Sequence, residues 1–268
     1  MTLSFFKYAG CGNDFIMIDD RLLHFHSNEA ALVRTLCHRQ KGIGADGVIL
    51  LQNGKTTPFK MRIFNSDGSE AEMCGNGLRC LGKFLHDLGE KGSCFDIESM
   101  HRRHKVELLD NLQVKATLGK PENLERGVEL TLKNCRLKAD FMDTGVPHAV
   151  IFVDDLEKVD VGSLGREVRH HPRFGPKGAN ANFVEKKKDG SIHVRTFERG
   201  VEAETLACGT GLTAAAVSLH LNSPSQTRIA VTALSQDRVV VELVTDPKGQ
   251  IEEIFQTGPA EKIFSGTI

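Results

Sequence analysis

Two cysteines stand where thiol chemistry would be useful. Cys74 opens the phrase Cys-Gly-Asn-Gly-Leu and Cys208 opens Cys-Gly-Thr-Gly-Leu, one in each half of the 268-residue chain. Behind the first, Leu78, Leu81, Leu85 and Leu88 recur at helical spacing; behind the second, Leu212, Ala215, Ala216 and Leu219 do the same. Each cysteine therefore sits at the start of an apolar helix. There the unpaired N–H groups and the helix dipole favour negative charge, which makes thiolate more available. The N–H groups of the Gly, Asn and Thr that follow can hold an anion such as a carboxylate.

Two such helix starts turned toward one carbon would form a two-base catalyst. One thiolate removes the α-proton of an amino acid while the opposite thiol delivers a proton to the other face. Both helix ends stabilise the carboxylate as it gains enediolate character. The reverse reaction swaps the roles, so a matched pair of one residue type suits the task. A single Cys-Gly-x-Gly reads equally well as a tight turn with a buried thiol. Two of them, each opening an apolar helix, favour stereochemical inversion.

The elements that must position these thiols are mostly strands. Strand-like runs such as "GVILLQNG", "FKMRIFNSDG", "HAVIFVDD" and "RVVVELVTDPKGQIEEIFQTG" are bounded by turn residues, and Asp189-Gly190 between alternating runs marks a hairpin. Further helical patterns fall in "SNEAALVRTLCHR" and "VDVGSLGREVRHH". A boundary near Pro121-Glu122-Asn123 divides the chain into a half at 1–122 carrying Cys74 and a half at 123–268 carrying Cys208. The last strand is open to pairing back with the first half. The basic runs "HRRHK" (His101–Lys105) and "KKK" (Lys186–Lys188) read as solvated loops.

A formal net charge of −1 supplies no global field for nucleic acid or a membrane surface. The opening "MTLSFFKYAG" is too short and polar for a signal peptide, and no apolar run reaches spanning length, so the expectation is a cytoplasmic protein. The other cysteines, Cys11, Cys37, Cys80, Cys94 and Cys135, lack the close pairing of structural zinc sites, and most of them read as packing residues. A thiol redox or zinc protein using Cys74, Cys80 and Cys208 is a weaker reading, because Cys74 and Cys80 are poorly spaced as ligands. A non-catalytic binding protein is weaker too, since binding alone does not need two thiols.

Six ordered motifs make the chain resemble the diaminopimelate epimerases, within the cofactor-independent amino-acid racemases. They are "GCGNDF" (Gly10–Phe15), "GIGADG" (Gly42–Gly47), "NSDGSEAEMCGNGLRC" (Asn65–Cys80), "TGVPHAV" (Thr144–Val150), "NANFVE" (Asn180–Glu185) and "FERGVEAETLACGTG" (Phe197–Gly211). The resemblance implies an α/β (α+β) fold of two similar, pseudo-symmetric halves. Each would be a curved, mostly antiparallel sheet wrapped around a central helix, with the active site at the interface. It implies Cys74 and Cys208 as the acid–base thiols. Gly75, Asn76, Gly209 and Thr210 would hold the reacting carboxylate through backbone N–H groups. Asn13, Asn65, Asn180, Glu198 and Arg199 would grip the rest of an amino-acid substrate. His148 would support the site by orienting Glu198, and Asn182 is a weaker candidate for contact. No pyridoxal phosphate, other cofactor or metal is implied, and a homodimer is.

The expected reaction is interconversion of L,L- and meso-diaminopimelate, a step toward lysine and peptidoglycan precursors. Three departures qualify it. Val146 stands in "GVPH" where many members carry a substrate-contacting Asn, which raises the alternative of a relaxed racemase that also accepts glutamate. Gly47 replaces a Gln common in "GADQ". "ERGVEAETLAC" holds one residue more than the common form, so the roles of Glu202 and Glu204 are open. A proline racemase-like activity ranks below these, because such enzymes tend to carry His at the position of Asn76.

Overall fold

The computed structural model describes residues 3–25 and 29–268. Ser27 and Asn28, at the start of the first expected helix, lie outside the described residues. The fold is mixed α+β, and the chain divides into two compact units: 1–117 with 257–268, and 118–256.

In the first unit the order is β1 (Ser4–Gly10), β2 (Asn13–Asp19), α1 (Glu29–Cys37), β3 (Gly47–Asn53), β4 (Phe59–Asn65), β5 (Glu70–Ala71), α2 (Gly75–Asp87), β6 (Cys94–Glu98), β7 (Arg103–Leu108) and β8 (Val114–Thr117). In the second, β9 (Glu122–Thr131) precedes β10 (Arg136–Asp143), β11 (Pro147–Phe152), α3 (Val161–Arg169), β12 (Asn180–Lys186), β13 (Ile192–Glu198), β14 (Ala203–Thr205), α4 (Gly209–Asn222), β15 (Arg228–Thr232) and β16 (Arg238–Thr245). The chain returns to the first unit within β17 (Ile251–Gly258) and ends in β18 (Glu261–Thr267).

The two units repeat one plan. An antiparallel pair, β1–β2 or β10–β11, leads through a helix to a parallel neighbour, β3 or β12. An antiparallel strand follows, β4 or β13, with a short flap, β5 or β14. The helix opened by the cysteine then crosses to a second parallel neighbour, β6 or β15. In the first unit β18 extends the sheet beyond β1.

Side chains alternate across these strands, so each sheet can bury both faces. In β2, Phe15 and Met17 pack with the α2 core of Leu78, Leu81, Phe84 and Leu85, while Ile16 and Ile18 pack with Val33 and Leu36 of α1. β3 divides the same way: Ile49 and Leu51 face α2, Val48 and Leu50 face α1. In the second unit Val161 and Val168 of α3 pack with Ala149, Ile151, Ala181, Phe183 and Phe197. α4 is buried on every side from Gly209 to His220, as expected for a helix with no polar face.

The run at His101–Lys105 is not a loop throughout. Arg103–Lys105 lie in β7, and His104 is buried, its ring bonded to Ser99 Oγ and the Thr117 carbonyl oxygen. Charge density concealed the period-two pattern, in which Arg103 and Lys105 face solvent and His104 faces in.

Candidate active site

Cys74 is the N-cap of α2, in extended conformation (φ −145°, ψ 118°), and its Sγ accepts from Gly77 N at 3.5 Å. The second glycine of the phrase packs closely against β3. A Cβ on Gly77 would lie 2.7 Å from Ile49 Cδ1 of β3. Asn76 is fully buried and its amide is fully committed. Nδ2 donates to Cys11 O (3.2 Å) and Asn13 Oδ1 (2.8 Å), and Oδ1 accepts from Arg79 Nη2 (2.7 Å).

Asn13 is placed by a two-residue hairpin, Cys11-Gly12, in which both residues have positive φ (53° and 79°). This is the type I′ geometry that matches the twist of a two-strand ribbon. Cys11 is buried, consistent with packing. Asn13 Nδ2 donates to Asp46 Oδ2 at 3.0 Å, and Arg39 spans Asp46 and Asp14. Burial alone would raise the Asp14 carboxyl, but bonds from Arg39 and Lys7 outweigh it and hold Asp14 below the usual carboxylate range. Asn65, by contrast, is exposed at the end of β4. Its Nδ2 donates to Ser69 Oγ at 3.0 Å within the turn, opposite Gly47 in the ladder.

Gly47 has a local cause. A Cβ there would lie 2.4 Å from the Phe64 carbonyl oxygen, so the close approach of β4 excludes a side chain. Among the remaining thiols, burial pushes Cys37 up to about 11 and Cys80 up to about 12, which keeps both protonated near neutrality.

Cys208 is the N-cap of α4 (φ −123°, ψ 106°) and is buried. Its Sγ lies 3.5 Å from Thr210 Oγ1, and Thr210 Oγ1 lies 2.9 Å from His148 Nε2. The other ring nitrogen, Nδ1, is 3.1 Å from Asn182 Nδ2. His148 is therefore bonded to Thr210 and Asn182. Its imidazole is held neutral, with its pKa down at about 3, because the ring is wholly desolvated and the Arg199 charge opposes protonation.

Asn182, the weaker candidate, is at the centre of this arrangement. Besides His148 it reaches Ala149 O through Nδ2 (3.1 Å) and accepts from Thr196 Oγ1 (3.0 Å). Gln256, which no local motif signals, donates to Gly209 O (2.9 Å) and Thr213 Oγ1 (3.0 Å), fixing the first turn of α4.

The remaining expected residues gather at the neighbouring strand ends. Asn180 pairs with His148 in the parallel ladder of β11 and β12. Its Oδ1 accepts from Arg199 N (2.7 Å) and its Nδ2 donates to Pro147 O (3.3 Å), so it ties the 'VPH' loop to the 'ERG' turn. Val146 lies in that loop, where its carbonyl oxygen accepts from Thr144 N (3.3 Å). Glu198 ends β13 and accepts from Thr205 Oγ1 at 2.9 Å. The inserted residue resolves into distinct roles for the two later acids. Glu202 turns back in a left-handed conformation (φ 58°) to Arg169 and His170, while Glu204 pairs with Arg195.

A family model described as diaminopimelate epimerase matches residues 5–124 and 141–263. A diaminopimelate epimerase of Aquifex aeolicus (strain VF5) is 41% identical over 99% of this chain and 98% of its own. One of Hydrogenobaculum sp. (strain Y04AAS1) is 39% identical over 98% and 97%. Among solved structures, a probable proline racemase of Agrobacterium radiobacter K84 shares the fold at TM-score 0.77 and 16% identity, covering 99% of this chain and 92% of its own. A phenazine biosynthesis protein of the PhzF family from Bacillus anthracis does so at TM-score 0.75 and 16% identity, over 100% and 99%. With two helix-opening cysteines in a duplicated fold and relatives of this similarity along its full length, the chain belongs to the diaminopimelate epimerase family.

Proposed function

We propose that the protein interconverts L,L- and meso-diaminopimelate, with Cys74 and Cys208 as the two acid–base thiols on one α-carbon. The observation that carries this reading is the matched placement of the two cysteines, each an extended N-cap on a buried helix that opens Gly-x-Gly. One thiolate takes the α-proton, the other thiol returns a proton to the opposite face, and the next turnover in reverse begins from the swapped state. Charge gathers on the substrate carboxylate. The backbone N–H groups of Gly75, Asn76, Gly209 and Thr210 hold it, using donors that a helix start leaves free of intrahelical partners.

Asn13, Asn65, Asn180, Glu198 and Arg199 grip the remaining amino and carboxylate groups. A guanidinium such as that of Arg199 suits a carboxylate, which it can bind bidentately. His148 supports the site, and Val146 borders it. The glutamate reading drawn from Val146 is not favoured, because the full-length relatives carry the name diaminopimelate epimerase. A homodimer in the cytoplasm, serving lysine and peptidoglycan precursor synthesis, completes the proposal. No described helix is long and apolar enough to cross a membrane.

Purified, reduced protein supplied with L,L-diaminopimelate should form the meso isomer, resolved by chiral chromatography. Dialysis against a chelator and treatment with a carbonyl-trapping reagent should leave the rate unchanged, because the thiols supply both proton transfers. Loss of the rate after either treatment would contradict the proposal.

A further inference from the structure

The four side chains beside Cys208 have a fixed hydrogen-bond polarity. Ala149 O can only accept, so the Asn182 atom facing it is the amide nitrogen, and Oδ1 is left to accept from Thr196. That same nitrogen faces His148 Nδ1, which must therefore be the unprotonated ring nitrogen. A neutral imidazole then carries its proton on Nε2, aimed at Thr210 Oγ1. With its oxygen accepting from Nε2–H, the Thr210 hydroxyl keeps its own proton available to the Cys208 sulfur 3.5 Å away, a contact in which either atom can donate.

The first unit is built differently at the matching position. Asn76, two residues after Cys74, turns its amide to Cys11, Asn13 and Arg79, while the sulfur accepts from the backbone at Gly77. We infer that Asn182 and His148 are positioning residues that lock the Thr210 hydroxyl as a donor to Cys208 and so favour thiolate there. A donor aimed at sulfur stabilises the anion and does little for the neutral thiol. The relay rests on the two-thiol reading and deepens it, since it names the groups that ready Cys208 to act as a base.

The charged groups around this corner are few. Arg199 lies near enough to His148 to oppose its protonation, Glu198 holds Thr205, and Asp143 caps Gly145 N beside Thr210. Asp140 and His220 bond at Ser218 and at the Gln226 carbonyl, toward the far end of α4. None of these groups is hydrogen-bonded to the Thr210 hydroxyl.

The test is peptide-resolved alkylation by iodoacetamide across pH, in the reduced full-length protein. Thr210→Val, which keeps the shape and removes the hydroxyl, should move the Cys208 midpoint up by about one pH unit, roughly a tenfold loss of thiolate near neutrality. Thr210→Ser should restore it, and the Cys74 midpoint should stay in place in both variants. An unmoved Cys208 midpoint, or equal movement of both thiols, would overturn the relay. Histidine ¹⁵N shifts of the unsubstituted protein give an independent check. The Nε2–H tautomer at His148 supports the relay, and the Nδ1–H tautomer overturns it. Failure of the underlying reading looks different: Cys208→Ser would then still exchange the substrate α-proton.

Discussion

Asn182 Oδ1 stands 2.3 Å from the point where a Cβ on Gly211 would lie, so the second glycine of "CGTG" exists to admit an asparagine from β12. The equivalent glycine of "CGNG", Gly77, admits the Cδ1 methyls of Ile49 and Ile63 instead. The repeated phrase is therefore one backbone solution with two neighbours.

The two glycines should respond differently to alanine. Gly211→Ala must displace the amide that orients His148, so turnover should fall at least about tenfold, with roughly 1–3 kcal/mol lost from stability. Gly77→Ala presses on the end of an isoleucine that can rotate, so its loss of turnover should be smaller. Steady-state rates and urea melts of both variants check the contrast.

At Gly47 the obstacle is backbone. Gly47→Gln would place a Cβ 2.4 Å from the Phe64 carbonyl oxygen, which the β3–β4 ladder holds in register. We expect a loss of about 2–3 kcal/mol in a urea melt. A neutral outcome would show that the ladder yields more easily than its register implies.

His148 should make the fold acid-sensitive. Its pKa is lowered to about 3 by burial first and by the Arg199 charge second. The unfolded chain, with a pKa near 6.5, binds the proton more readily, so the stabilisation is present above about 6.5 and is lost as pH falls toward 3. At pH 5 the loss should reach about 2 kcal/mol. His104, also lowered by burial, acts with the same sign. Chemical denaturation at pH 8 and pH 5 reads the combined effect, and the difference should shrink in His148→Gln.

Arg199 is anchored by its backbone, through Asn180 Oδ1, while its guanidinium makes no hydrogen bond among the described residues. Arg199→Lys should therefore leave the melting temperature within about 1 °C and raise KM at least about tenfold, because an ammonium cannot reproduce a bidentate grip. A lowered melting temperature with unchanged KM would assign Arg199 to structure.

What the sequence revealed follows the range of the interactions. Cys74 and Cys208 were legible because a helix start is local chemistry: extended cap, close-packed glycine, apolar face. The strand run of β3 was legible for the same reason, and the motifs added the residues around it. The Asn182–His148–Thr210 arrangement was not, since its members come from β12, β11 and α4 and meet only through the parallel register that sets His148 beside Asn180. Gln256 likewise reaches Gly209 from the far end of the second unit. Glu202 and Glu204 became distinguishable only when the turn after β13 placed one on α3 and the other on Arg195.

The most direct test of the central claim is α-proton exchange followed by ¹H NMR in D₂O, with reduced protein, no added cofactor and L,L-diaminopimelate. The two-thiol account predicts rapid loss of the α-proton signal in the unsubstituted protein and none in Cys74→Ser or Cys208→Ser. Exchange that survives either substitution, or that never occurs with both thiols intact, would contradict it.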